Sequence, residues 1–302
     1  MKEINLTQSP PALVWNAEEQ QIDIAKVAML VESSFSVIGA TRKDSSLKDK
    51  LLENHEDTDS NAVNVTKSLF ERSELARIRA IRNQARNYIN DYTAPWGKSG
   101  ERLLPAEMYN EFSQRITELQ ADWEAEVERI VKNYPIMLDN ARERLGDIFR
   151  ESDYPKHDFV EKLFSFKIAY LPVPTAGDFR VDLIGTASME AIKGSIQGMV
   201  EDKVGEANAS ILRRMMQVLA HLTEKLADEK AIFRDVTVDK VKEIADLADK
   251  LNLTKDAKIT EVAKEMRLLA KVSANDLRED STKRTKTAQK AKELQNSLAG
   301  VM

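Results

Sequence analysis

Gly97-Lys98-Ser99 is the first place in this chain where residue types and spacing could do chemistry. A phosphate loop of the form G-x-x-x-x-G-K-[ST] curls backbone N–H groups round a nucleotide, after a strand and before a helix. Here the position five before Gly97 is Tyr92, a helical pattern precedes the loop, and Pro105 starts the next helix several residues late. Spacing and context both fail. Thr93–Leu104 therefore reads as the corner of a helical hairpin. Trp96 at that corner, with Lys98 and Arg102 beside it, is the candidate partner contact. Trp96 is expected either to fold back and cap the hairpin or to stand exposed as a contact residue.

The next candidates are cationic. Arg72, Arg79, Arg82 and Arg86 fall on roughly one side of a helix, and no acid occurs between Leu75 and Asn90. Such a stripe could hold phosphates. The following helix carries Glu118, Asp122, Glu124, Glu126 and Glu128, so pairing between the two helices is the competing and preferred expectation. Lys283, Arg284, Lys286, Lys290 and Lys292 form a second basic cluster without aromatic neighbours for base stacking, which reads as a solvated helix face. Nucleic acid is thus a possible partner and not the favoured one.

Other chemistry finds little footing. The three histidines, His55, His157 and His221, are far apart, and HEDTD after Asn54 lacks the second histidine of a zinc protease. Asp153, His157 and Asp158 are neighbours that could meet a metal, but a capping aspartate and a surface histidine is the commoner arrangement. There is no cysteine, which removes disulfides, thiolate nucleophiles and cysteine zinc sites. No G-x-S-x-G nucleophile elbow occurs. No catalytic residue, cofactor site or metal site is assigned.

The elements that must position these residues are mainly helices. Of 302 residues, 31% are charged and only 6% aromatic, with 10 Gly and 8 Pro, a mix that favours long helices. The net charge of -5 gives no global attraction to nucleic acid. The N-terminus lacks an apolar leader and no uncharged apolar run approaches about 18 residues, so a cytoplasmic protein with no membrane segment is expected. Residues 1–26 read as an arm, with Pro10-Pro11 extended and Trp15 as an anchor. Residues 27–302 read as a single elongated domain.

Within it, 27–40 is a strand region, with Phe35 and Val37 facing one way and Ser34 and Ser36 the other. Residues 41–64 read as a polar loop with a short helix near 47–52. The hairpin spans 66–150. Its first helix starts near Thr66, and its second carries Phe112, Ile116, Leu119, Trp123, Val127, Ile130 and Tyr134 in one stripe, with a kink or break at Pro135. Residues 165–185 read as a β-hairpin, and 187–300 as long helices packed as a bundle or coiled coil, which a second copy could complete. The fold class is α+β, predominantly α, with a small antiparallel sheet.

The order of several segments carries a resemblance. FSVIGATRKD, ELARIRAIRNQAR, WGKSGERLLP before YNEF, NYP, DYP, FSFKIAYLPVP, FRDVTVDKVKEIADL and LRED together resemble an uncharacterised, mostly helical family of bacteria, phages and mobile elements. It covers about residues 24–300. Genes of that family often lie near MoxR-type AAA+ ATPases and cobalt-chelatase-like proteins with a von Willebrand A domain. The resemblance implies a non-enzymatic accessory role beside such an ATPase, as adaptor, substrate or scaffold, and it assigns no site residues. A nucleic-acid-binding protein of a phage or mobile element is the alternative.

Overall fold

A computed structural model describes residues 23–55, 58–97, 100–178, 185–227 and 235–299. The chain begins with α1 (Ile24–Val27), β1 (Ala28–Ser36), β2 (Thr41–Lys43), α2 (Ser45–Glu53), β3 (Thr66–Ser68) and α3 (Ala76–Tyr92). Then come β4 (Ala94–Pro95), β5 (Arg102–Pro105), α4 (Tyr109–Leu145), α5 (His157–Val160) and β6 (Ser165–Leu171). It closes with α6 (Thr186–Ala227), α7 (Asp235–Leu251), α8 (Ala257–Leu269), α9 (Ala274–Glu279) and α10 (Ser281–Ala299). The architecture is α+β and mainly helical. One sheet has the order β4-β5-β1-β6, and β2 and β3 form a second. β1 runs antiparallel to β5, Ala28 opposite Pro105 and Val31 opposite Arg102.

The chain divides into two compact units. The first comprises Met1–Glu32, Ile89–Asn110 and Ala169–Met302, and the second Ser33–Tyr88 and Glu111–Ile168. In the first, Ile24, Ala28, Leu30, Ala94, Trp96 and Leu103 pack with Val173, Val204 and Ala207. Beyond Val204, α6 buries Ile211, Met215, Leu219, Leu222 and Leu226 at helical spacing, and α7, α8 and α10 supply the matching faces of a helical bundle. The first four turns of α6, by contrast, bury no residue fully. Asp280 separates α9 from α10: its N–H reaches Asp276 O and its carboxylate accepts from the N–H groups of Thr282 and Lys283. The expected last helix is therefore two, divided by an N-cap.

In the second unit the stripe from Phe112 to Tyr134 is buried throughout, and Met137 and Ala141 extend it. α4 runs through Pro135 without a break, so of the expected kink or break the break does not occur. A proline has no N–H, so the carbonyl four residues back loses its helical donor. That carbonyl is Val131 O, and His157 Nε2 lies 3.1 Å from it. Tyr134 Oη donates to Pro155 O at 2.7 Å beside it.

A second correction concerns the start of the hairpin. Thr66–Ser68 is not helical; it pairs with Thr41–Lys43, Arg42 opposite Lys67. Lys67 explains why. Its ammonium is buried against Asp44 Oδ2 at 3.2 Å, the Asp153 carboxylate and Ile148 O at 3.0 Å. That tie holds the segment extended. The helix begins only at Ala76, after the Glu74 carboxylate has accepted the N–H of Glu71 at 2.8 Å. The stretch 41–64, expected as a loop with a short helix near 47–52, holds that helix as α2, and in addition β2 and a 3₁₀ turn at Ser60–Ala62. The expected second strand at 178–185 falls on residues 179–184, outside the described residues, as do Trp15 and the Pro10-Pro11 arm. No helix among the described residues is long and apolar enough to cross a membrane.

Candidate functional site

The corner belongs to the first unit. Between α3 and α4 the chain forms two short strands, β4 and β5, closed by Trp96 N–H donating to Glu101 O at 3.0 Å. Gly97 and Gly100 take positive φ of 77° and 97°, which only glycine adopts readily. Trp96 is 1% exposed. Lys203 covers it, its ammonium 5.3 Å from the ring centroid. A Cβ at Gly97 would stand 3.1 Å from Lys203 Cε, a tight contact that the lysine side chain would have to yield to. A side chain this buried has no surface to offer, and the expectation that Trp96 is a partner contact is corrected: it is a core plug.

Arg102 is likewise occupied. Its Nε donates to Thr93 Oγ1 at 2.6 Å, and its Nη2 to Asn90 O and Thr93 O at 3.1 and 3.0 Å. Arg214 of α6 joins it, donating to Asp91 O at 3.0 Å and Thr93 O at 2.7 Å. Two guanidiniums thus satisfy the last carbonyls of α3, where the helix dipole is negative. Burial, with Arg214 alongside, pushes Arg102 down to about 10, still cationic at neutral pH. Lys98 lies outside the described residues.

The arginine stripe belongs to the second unit. The preferred expectation, pairing with the acids of α4, is not met: among the described residues Arg72, Arg79, Arg82 and Arg86 make no ion pair. The buried Glu126 is held instead by Arg129, at 2.6 and 2.8 Å, and by Arg77 at 3.5 Å. Arg82 Nε is buried without an acceptor. Arg86 lies over the Phe35 ring at 5.4 Å. The C-terminal basic cluster, in the first unit, is largely spent internally. Lys283 pairs with Asp276 at 3.1 Å and Lys290 with Glu265 at 3.2 Å. Arg284 donates to Leu226 O and Lys225 O, closing the end of α6. Lys286 is exposed.

No group of three or more His, Asp or Glu side chains among the described residues could hold a metal. His157 serves the Val131 carbonyl, and Asp153 serves Lys67 and Arg42.

One surface feature escaped sequence reasoning. In the second unit a groove of about 380 Å3 runs between α4 and the segment 161–167. α4 contributes Glu124, Val127, Glu128 and Val131, spaced i, i+3, i+4, i+7, so all four share one face. Trp123, Phe164 and Phe166 deepen the apolar floor, with Phe35 stacked on Phe166 at 4.6 Å and edge-on to Trp123 at 6.3 Å. Glu161 and Lys167 complete the lining. Among the described residues Glu124, Glu128 and Glu161 make no ion pair. A signal did exist in the sequence: Glu124 and Glu128 flank Val127 on the face that continues to Val131. Those acids read as partners of the arginines only because the first helix was free to face them.

Comparison of the chain with protein-family models, with curated proteins and with solved structures finds no match.

Proposed function

We propose that this protein is a non-enzymatic interaction protein of the cytoplasm, an adaptor or scaffold for a MoxR-type AAA+ ATPase system of a bacterium, phage or mobile element. The ATPase assignment follows from the family resemblance. The docking role is supported by one observation above all, the apolar groove on α4 with three carboxylates that have no ion-pair partner among the described residues. An apolar floor gives affinity when covered, and unpaired rim charges give orientation and choice of partner.

Affinity capture from the source organism tests this. The expected result is an AAA+ ATPase recovered on the intact chain and lost with Val131→Asp, which puts a charge into the groove. Recovery that survives that substitution, or recovery of replication or recombination proteins instead, sinks the reading.

A second reading has its own observation. The four stripe arginines lack carboxylate partners among the described residues, which keeps them available to phosphates. Gel shifts with single- and double-stranded DNA at two salt concentrations test it. Binding must weaken with salt and with the triple change Arg79→Ala, Arg82→Ala, Arg86→Ala.

A further inference from the structure

We propose that the α4 groove takes a cationic amphipathic segment of a partner protein, a short helix with lysines or arginines along both margins of its apolar face. The inference rests on the docking role above and adds the chemistry of the partner.

The layout of the groove carries it. The α4 residues Glu124 to Val131 extend about 10 Å along the helix axis, two turns. That matches the length over which a short helix lays an apolar stripe into a groove. Glu124 and Glu128 stand on the α4 side and Glu161 on the opposite side, so carboxylates border the floor on both margins. Lys167 is the one cation in the lining. Neighbouring acids of α4 are already committed, Glu118 to Arg115 at 2.7 Å and Glu126 to Arg129. Glu124 and Glu128 are not, so a docking cation displaces no existing pair and gains contacts that cost little desolvation. The same charges exclude a polyanion from this face. A second copy of the chain is a poor occupant: the basic helix α10 spends Lys283, Arg284 and Lys290 on its own bundle, and the arginine-bearing α3 has its apolar residues Ile78, Ile81, Ala85 and Ile89 buried.

The test uses the full chain and a fluorescein-labelled 14-residue peptide of leucine and lysine patterned as an amphipathic helix. Its counterpart carries glutamate for lysine. Anisotropy should show binding of the lysine peptide alone, weakened by salt. The variant E124K/E128K/E161K should bind at least tenfold more weakly. The variant D202K/E206K/E224K changes the net charge equally at exposed positions of α6, and should differ from the unaltered chain by less than twofold. Equal losses in the two variants would mean diffuse charge attraction and would overturn the proposal. So would failure of the lysine peptide to bind. If Val131→Asp still abolished capture of an ATPase in that event, the docking role would stand and only the partner's chemistry would fall. Self-association abolished by E124K/E128K/E161K in sedimentation would identify a second copy as the occupant, and would also overturn it.

Discussion

Trp96 buries its indole among Leu30, Leu103, Val204 and Ala207 and under the Lys203 ammonium. Trp96→Ala should therefore act through stability, costing about 3–5 kcal/mol in urea unfolding. Partner capture normalised to the folded fraction should be unchanged; a selective loss would restore Trp96 as a contact. The burial was not legible locally, because the residues that cover Trp96 arrive from α6, more than a hundred positions away. Lys67 was hidden for the same reason. It sits between two polar neighbours and reads as surface, yet it is buried between Asp44 and Asp153. The Leu47 N–H holds the Asp44 carboxyl below its usual range, with Lys67 assisting and burial opposing. A lowered carboxyl contributes stability above its unfolded value, near 4, and loses that contribution as pH falls through the folded value. Asp44→Asn should thus be destabilising at pH 7, with the difference from the unaltered chain shrinking below about pH 4. Urea unfolding at pH 7 and pH 3 checks this; a difference independent of pH would refute it.

Among the elements, α4 was the most legible. Its apolar stripe predicts the buried face residue by residue, and the structure buries every member from Phe112 to Tyr134. What the stripe could not tell was the fate of Pro135. A helix interior proline costs about 3 kcal/mol, so a kink or a break was the reasonable expectation. The compensation comes from α5, through His157 on the Val131 carbonyl. A double-mutant cycle should expose the link. His157→Ala should cost about 1 kcal/mol beside Pro135, and clearly less in a Pro135→Ala background, where the restored backbone N–H can reach Val131 O. Equal costs in the two backgrounds would mean the His157 contact is incidental. The β2–β3 pair was illegible for a different reason. Thr66-Lys67-Ser68 has too few residues to display a period, and only its pairing with Thr41–Lys43 makes it a strand.

At the scale of the whole molecule, composition was sufficient for the fold class and insufficient for the site. Low glycine, low proline and abundant charge indicate long helices whatever their arrangement. A groove depends on which faces meet, and that is settled by contacts between distant segments: Glu124 and Glu128 gain their meaning from Glu161 and Phe166. The net charge of -5 also bears on the nucleic-acid reading. If the stripe neutralises about four phosphates, the slope of log affinity against log salt should be roughly -3.6 on duplex DNA. A slope near zero would exclude the stripe as a phosphate surface.

The interruption of the first unit along the chain has a consequence during synthesis. Residues 33–168 contain the whole second unit, apart from the piece 89–110 that belongs to the first. The second unit can therefore close while the ribosome is still making the rest. The apolar faces of β1, β4 and β5, by contrast, must wait for Val204 and Ala207. At about 5–20 residues per second that wait is roughly five to twenty seconds. Through this interval Trp96 stays open to solvent, and the nascent chain should recruit a holdase. With a photo-crosslinking residue placed at Trp96, ribosome-bound chains arrested near residue 190 should crosslink to a holdase at that position, and those arrested after residue 260 should not.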